Sequence, residues 1–395
     1  MNLRCAPALV AAGFGIACGV SDPAFDPPPV EAPFVTVTVG VLHTCGTTTT
    51  DRVYCWGWNR DGELGDGSRS DRPLPVRVES ESTFLAVTGG GGHTCAITPG
   101  QKPYCWGFNL SGQLGIGTTI PATTPASVAG GLVLRSVDAG GAFTCGVGAD
   151  STAWCWGWGA HGQLGDGERD DRSSPVSVQG GLKLLGVSAG AQHACGLAAD
   201  STAWCWGANP HGQLGNGSTV DTVMPVLVGT GQRFIDVSAG FNHTCGLEAG
   251  GDLYCWGDNS AGQLGDTLVN QAALPHRVAG ALAFAAVSAG AAHTCAITVA
   301  GAGYCWGSDA SGQLGSAALS TCATEGGGSQ PCTRVPAPVS GGLSFGAIQA
   351  GTQHSCGLTL DRLAYCWGLN DRGQLGDGST HTSASPVLVG NQFGL

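Results

Sequence analysis

Seven times along this chain a cysteine is followed ten positions later by a second cysteine, and the second is always followed by Trp-Gly. The first cysteines are Cys45, Cys95, Cys145, Cys195, Cys245, Cys295 and Cys356, and the second are Cys55, Cys105, Cys155, Cys205, Cys255, Cys305 and Cys366. The step between units is 50 residues except for the last, which is 61. A length of 395 residues would ordinarily suggest two or three domains, but one period running through nearly the whole chain implies a single repeat domain. The 68 glycines and the 11% of charged residues, against averages of about 7% and about 25%, suit short strands and tight turns rather than long helices.

Charge narrows the partners. The formal net charge is −12, and the 16 Lys and Arg are spread thinly, so no basic stripe is available to displace counterions. Nucleic acid is therefore not expected as a partner. Beyond the N-terminal region no apolar run approaches the roughly 18 residues of a membrane span.

Eighteen cysteines require either pairing in an oxidising compartment or metal in a reducing one. Zinc sites usually gather four ligands in closely spaced pairs, whereas each repeat here offers two, one on each arm of an expected hairpin. Disulfides are the better reading, and they imply export. The N-terminus agrees: Arg4 precedes an apolar stretch at residues 6–17 (APALVAAGFGIA) that ends at Cys18, so residues 1–18 read as an export signal. Cys18 would be the lipidated first residue if the signal is of the bacterial lipoprotein type, and simple secretion is the alternative. Residues 19–33 (GVSDPAFDPPPVEAP) read as a Pro-rich linker, with the repeat domain at 34–395.

Inside each unit the pattern is one of short strands: an alternating strand ending in Gly, a second through His-Thr-Cys, a third through Tyr-Cys-Trp-Gly, a Gly-Gln-Leu-Gly turn and a Pro-Val-x-Val strand. Four short antiparallel strands per unit of about 50 residues predict an all-β, seven-bladed β-propeller. If Cys245 and Cys255 oppose each other, Tyr254 faces Gly246 and Trp256 faces Thr244, with the large ring expected over the small residue. Opposed positions stand close enough for a disulfide in every hairpin. The sixth unit carries an insertion at about 316–338 with an eighth pair, Cys322 and Cys332, expected to close a surface loop. The C-terminal Pro386-Val387-Leu388-Val389 strand is expected to join a blade begun by residues 35–39.

The motifs V-S-A-G-x-x-H-T-C-x-L, Y-C-W-G-x-N-x-x-G-Q-L-G-x-G and P-V-x-V make the chain similar, over residues 34–395, to the repeat of the regulator of chromosome condensation family. That resemblance implies a seven-bladed propeller. It does not fix an activity, because the fold serves a chromatin-bound exchange factor for a small GTPase, photoreceptors, ubiquitin-ligase modules and a secreted inhibitor of β-lactamases. Two features depart from the family pattern. The cysteine pairs stand where other small or apolar residues are usual, and residues 1–33 hold one basic residue, Arg4, where the exchange factor has a basic tail. Exchange on a nuclear GTPase is accordingly not the favoured expectation.

Residues that recur in every blade read as architecture. His43, His93, His193, His243, His293 and His354 open the second strand, but Phe143 takes that place in the third repeat, which suits packing rather than metal ligation. The ring of Trp56, Trp106, Trp156, Trp206, Trp256, Trp306 and Trp367 is read the same way. Asp-rich turns such as Asn59 to Gly67 lack the donor order of an EF-hand, and neither paired carboxylates nor a nucleophile with a base can be picked out. No enzyme, cofactor or metal is expected. What varies between blades is more informative: Trp58, Phe108 and Trp158 follow Trp-Gly where later repeats have Ala208, Asp258, Ser308 and Leu369, and His161 and His211 vary a nearby turn. If those turns share a face, the three aromatics form a protein-binding arc or a partly buried rim. The expected function is a monomeric, secreted or envelope-anchored protein-binding propeller, with an enzyme inhibitor, an exchange regulator and a glycan-binding module as alternatives.

Overall fold

The computed structural model describes residues 27–229, 231–267, 270–323 and 328–393. Each repeat folds into its own antiparallel sheet, giving seven blades. In the first, β1 (Phe34–Val39), β2 (His43–Thr48), β3 (Val53–Gly57) and β4 (Arg72–Arg77) pair in chain order. The first strands of neighbouring blades touch one another all the way round, so they form the innermost ring about a central channel.

The hairpin register is the one that the period-two pattern dictates. Cys245 opposes Cys255, Gly246 opposes Tyr254 and Thr244 opposes Trp256. The seven hairpin disulfides close with Cα–Cα distances of 4.0–4.1 Å. The ring that covers the small residue is not the expected Tyr, however. A Cβ added to Gly46 would stand 2.7 Å from the Phe34 ring, and Gly246 and Gly357 meet Phe234 and Phe345 in the same way. The first strand supplies the filler because its opening residue leans across β2, while Tyr54 meets Phe34 edge-on at 6.4 Å.

The core lies between blades rather than within them. On the cysteine face of blade one, Cys45, Cys55, Leu64 and Val76 pack against Phe84, Val87, Ala96 and Trp106 of blade two, and the same pairing recurs around the ring. All seven Trp of the Trp-Gly motif are fully buried. Six of them donate the indole N–H to the main-chain carbonyl of the Gly-Gln/Glu-Leu-Gly turn in the preceding blade, at 2.9–3.0 Å. Truncating a Trp of this kind costs about 3–5 kcal/mol, more than the roughly 2–3 kcal/mol of a short hairpin disulfide. Interblade packing is therefore the larger contribution to holding the ring.

Three further expectations are corrected. The C-terminal strand, Ser383–Leu388, stays in blade seven, and β1 pairs only with β2. Each repeat already presents both complementary faces, so the ring closes by packing: Phe34, Val37 and Trp56 against Leu358, Leu375 and Val389. Secondly, residues 27–33 do not run free as a linker. Val30 is buried in that closing cluster, its N–H donates to Asn391 O at 2.8 Å, and Asn391 Nδ2 reaches Pro27 O at 3.2 Å. Thirdly, the insertion, expected as a surface loop closed by the Cys322 and Cys332 pair, is built as a hairpin. Ser320–Ala323 pairs with Ser329–Pro338, which is also the fourth strand of blade six and makes that sheet five-stranded. Cys322 and Cys332 sit diagonally in it, with a Cα–Cα distance of 5.8 Å. Cys5 and Cys18 lie outside the described residues.

Candidate functional site

One face of the disc gathers the turn after each first strand and the long loop after each third strand. The link is a backbone hydrogen bond: Trp58 N–H donates to Leu42 O, Phe108 to Gly92 O and Trp158 to Ala142 O, at 2.7–2.9 Å. The three aromatics therefore share a face, half-buried, as an arc over blades one to three. Their surroundings differ. The Trp58 ring lies 4.7 Å from the Arg60 guanidinium and 4.5 Å from that of Arg372, which comes from blade seven, and Arg372 also stands 3.7 Å from Asp71. Phe108 covers Gly92, where an added Cβ would lie 3.2 Å from it. Trp158 meets His161 edge-on at 5.2 Å, and His161 Nδ1 lies 3.0 Å from Asp221 Oδ2. The backbone N–H of His161 donates to Gln163 Oε1 at 2.9 Å, and that of the second turn histidine, His211, donates to Gln213 Oε1 at 3.0 Å in the same way.

The repeated histidines are walled inside. Each Nε2 approaches a hydroxyl of the next blade at 2.8–2.9 Å: His43 to Thr94, His93 to Thr144, His193 to Thr244, His243 to Thr294, His293 to Ser355 and His354 to Thr44. Burial pushes their pKa values down from 6.5, to about 4 for His43 and about 3 for the others. They are neutral at pH 7 and hold blades together. On the same face Glu63 replaces the glutamine of the other six turns, and burial raises its carboxyl to about 7 against the hydrogen bonds it accepts.

The Asp-rich turns are internally satisfied. Asn59 Nδ2 donates to Asp66 at 3.0 Å, and Arg72 Nε lies 3.1 Å from the same carboxylate. Among the described residues no three His, Cys, Asp or Glu side chains converge as metal ligands. No described helix is long and apolar enough to cross a membrane.

A cavity of about 460 Å³ opens at the channel mouth on this face, lined by Val41, Trp158, Gln192, Phe241 and Asn242 over a glycine-rich floor. A second, smaller cavity of about 90 Å³ lies between the turns of all seven blades and shares Val41 and Phe241 with the first. Of these residues only Trp158 stood out in the sequence. The signal for the others was the variable doublet before each histidine, where Phe241-Asn242 and Ala191-Gln192 replace pairs such as Gly91-Gly92 and Ala291-Ala292.

The sequence profile of the regulator of chromosome condensation (RCC1) repeat matches residues 50–97, 104–147, 150–197, 200–247, 250–297 and 363–393. A second profile of the same repeat matches 34–63, 186–213, 234–263, 284–313 and 347–374. Among curated proteins, the ultraviolet-B receptor UVR8 of Arabidopsis thaliana is 48% identical over 44 residues, which is 11% of this chain and 10% of that one. Among solved structures, yeast RCC1 bound to Kap60 superposes with a TM-score of 0.76 at 19% identity, covering 96% of this chain and 91% of that one. Human WBSCR16 gives 0.75 at 21% identity, covering 86% and 93%. The ectodomain of the Arabidopsis thaliana receptor kinase ACR4 gives 0.52 at 20% identity, covering 90% and 99%. Likeness at these identities establishes the fold alone.

Proposed function

The chain belongs to the regulator of chromosome condensation repeat family, and from that premise we propose that it is a non-catalytic, protein-binding propeller working in an oxidising extracellular or envelope setting. The observation that carries the setting is the set of eight disulfides, which a reducing cytosol would not maintain. The docking face is the one bearing Trp58, Phe108 and Trp158. Half-buried aromatics, with Arg60 and Arg372 beside Trp58, have the composition of an interface hot spot, and the blade-invariant residues are consumed by the ring itself.

Crosslinking to an envelope extract tests the reading. The chain captures a defined partner, and a Trp58→Ala, Phe108→Ala, Trp158→Ala triple variant with an unchanged melting temperature loses it. Equal capture by that variant removes the docking face from consideration. Acceleration of GDP release from a small GTPase would replace the reading with exchange activity. Metabolic labelling with a fatty acid, lost on Cys18→Ser, distinguishes anchorage from free secretion.

A further inference from the structure

We propose that the cavity at the channel mouth is a binding site for a neutral saccharide. It rests on residues of blades three to five that the docking arc does not need, apart from Trp158, and it stands or falls separately from that arc. Two aromatic side chains, Trp158 and Phe241, flank the opening, and Phe241 is 37% exposed. Beside them Gln192 and Asn242 present carboxamides, each both a donor and an acceptor. A sugar hydroxyl likewise donates and accepts, and the C–H face of a pyranose ring is apolar, so one ring can lie on an aromatic wall while its hydroxyls meet the two amides. No charged side chain lines the cavity. A charged ligand would lose its hydration with nothing to offset the loss.

Size supports the same class. About 460 Å³ lies within the roughly 300–1,000 Å³ of small-molecule sites. The site is also not an inevitable product of the repeat. The position of Phe241 is Ala191 in blade four and Ala291 in blade six, and that of Asn242 is Ala142 in blade three and Ala292 in blade six.

Those same positions supply variants that the fold already accepts. The full chain is titrated with glucose, galactose, mannose, N-acetylglucosamine and their β-1,4-linked dimers, followed by tryptophan fluorescence and saturation-transfer NMR. At least one of them is expected to bind saturably at millimolar concentration. Phe241→Ala and Asn242→Ala each weaken binding about tenfold with the melting temperature unchanged, whereas Gln353→Ala, the same turn position in blade seven, leaves it unaltered. Absence of saturable binding by every sugar, or equal binding by Phe241→Ala, overturns the proposal. Protein capture retained by Phe241→Ala alongside lost sugar binding shows that the two faces of the question are separate, and confirms the sugar site.

Discussion

A hydroxyl carries one proton, and that determines the state of the ring histidines. Thr94 Oγ1 donates to Glu63 O at 2.7 Å and Thr244 Oγ1 to Gln213 O at 2.8 Å, so each hydroxyl must accept from the histidine, whose Nε2 therefore bears the hydrogen. Nδ1 is turned toward the glycine that ends the first strand; a Cβ on Gly240 would lie 2.9 Å from the His243 ring. The one break in the ring is complementary on both sides: Phe143 stands in place of histidine, and the residue it faces in blade four is Ala194 instead of threonine. Removing both partners of a buried hydrogen bond is nearly neutral, whereas removing one leaves a polar group unmet at about 1–3 kcal/mol. Phe143→His alone is therefore expected to destabilise the fold by that order, and adding Ala194→Thr to recover about 1–2 kcal/mol of it. Urea midpoints of the two single variants and the double variant measure the coupling, and additive effects would remove the pairing argument. Glu63 is the converse case, an acid in a place built for an amide. Its pKa is raised from 4.5 to about 7 by burial, so the stability it supplies when protonated is lost as pH rises through about 7. Glu63→Gln is expected to raise stability by on the order of 2 kcal/mol at pH 8 and by little at pH 5, read from denaturation at the two pH values.

At the scale of elements, the hairpin is the unit that the sequence spelled out. Period two and a cysteine pair ten residues apart leave one register, and that register is what forms. The first strand was less legible, because the bulge between Phe34 and Thr36 shifts its opening residue out of simple alternation and brings a Phe, rather than the cross-strand Tyr, over Gly46. Ring closure was misread for a related reason. A repeat boundary says where a pattern begins, not which edges pair, and blades with two finished faces need no exchanged strand. The cavity was missed because no single residue marks it; Phe241 and Trp158 are 83 positions apart in sequence and meet only through the arrangement of blades three to five. Two predictions belong here. Replacing Cys245 and Cys255 together by alanine is expected to cost about 2–3 kcal/mol by the loop-entropy argument, measured by denaturant unfolding without reductant. Replacing Cys322 and Cys332 by alanine is expected to lower the melting temperature and to raise hydrogen exchange first in the added hairpin, because both cysteines are buried, Cys332 lies in the fourth strand of blade six and Cys322 Sγ stands 3.4 Å from Ala261 O of blade five.

At the scale of the whole molecule, what each blade buries against the next is repeated round a closed ring, so a weak point shared by every joint becomes a property of the disc. Histidine is such a point. The six ring histidines have folded-state pKa values of about 3 to 4, below the ordinary 6.5. As pH falls below about 6.5 the unfolded chain takes up protons that the folded chain refuses, so stability is fully present above that pH and is lost down to the folded-state values. Each histidine contributes up to roughly 1.4 kcal/mol per pH unit, and six together would consume a typical stability of about 5–15 kcal/mol within about two units. Glu63, raised to about 7, Asp138, raised to about 6, and Asp236 and Asp309, also raised by burial, act in the opposite sense, but they are four against six. Cooperative acid unfolding is therefore expected between about pH 6 and pH 4, above the range in which ordinary surface carboxylates titrate. The protein's own third and fourth blades suggest the control. His43→Phe with Thr94→Ala copies the Phe143 and Ala194 joint at another interface, and it should lower the number of protons taken up on unfolding at pH 4.5 by about one, measured from the pH dependence of the unfolding free energy. An acid transition of unchanged steepness in that double variant would mean that the carboxylates, not the histidine joints, govern the loss of the ring.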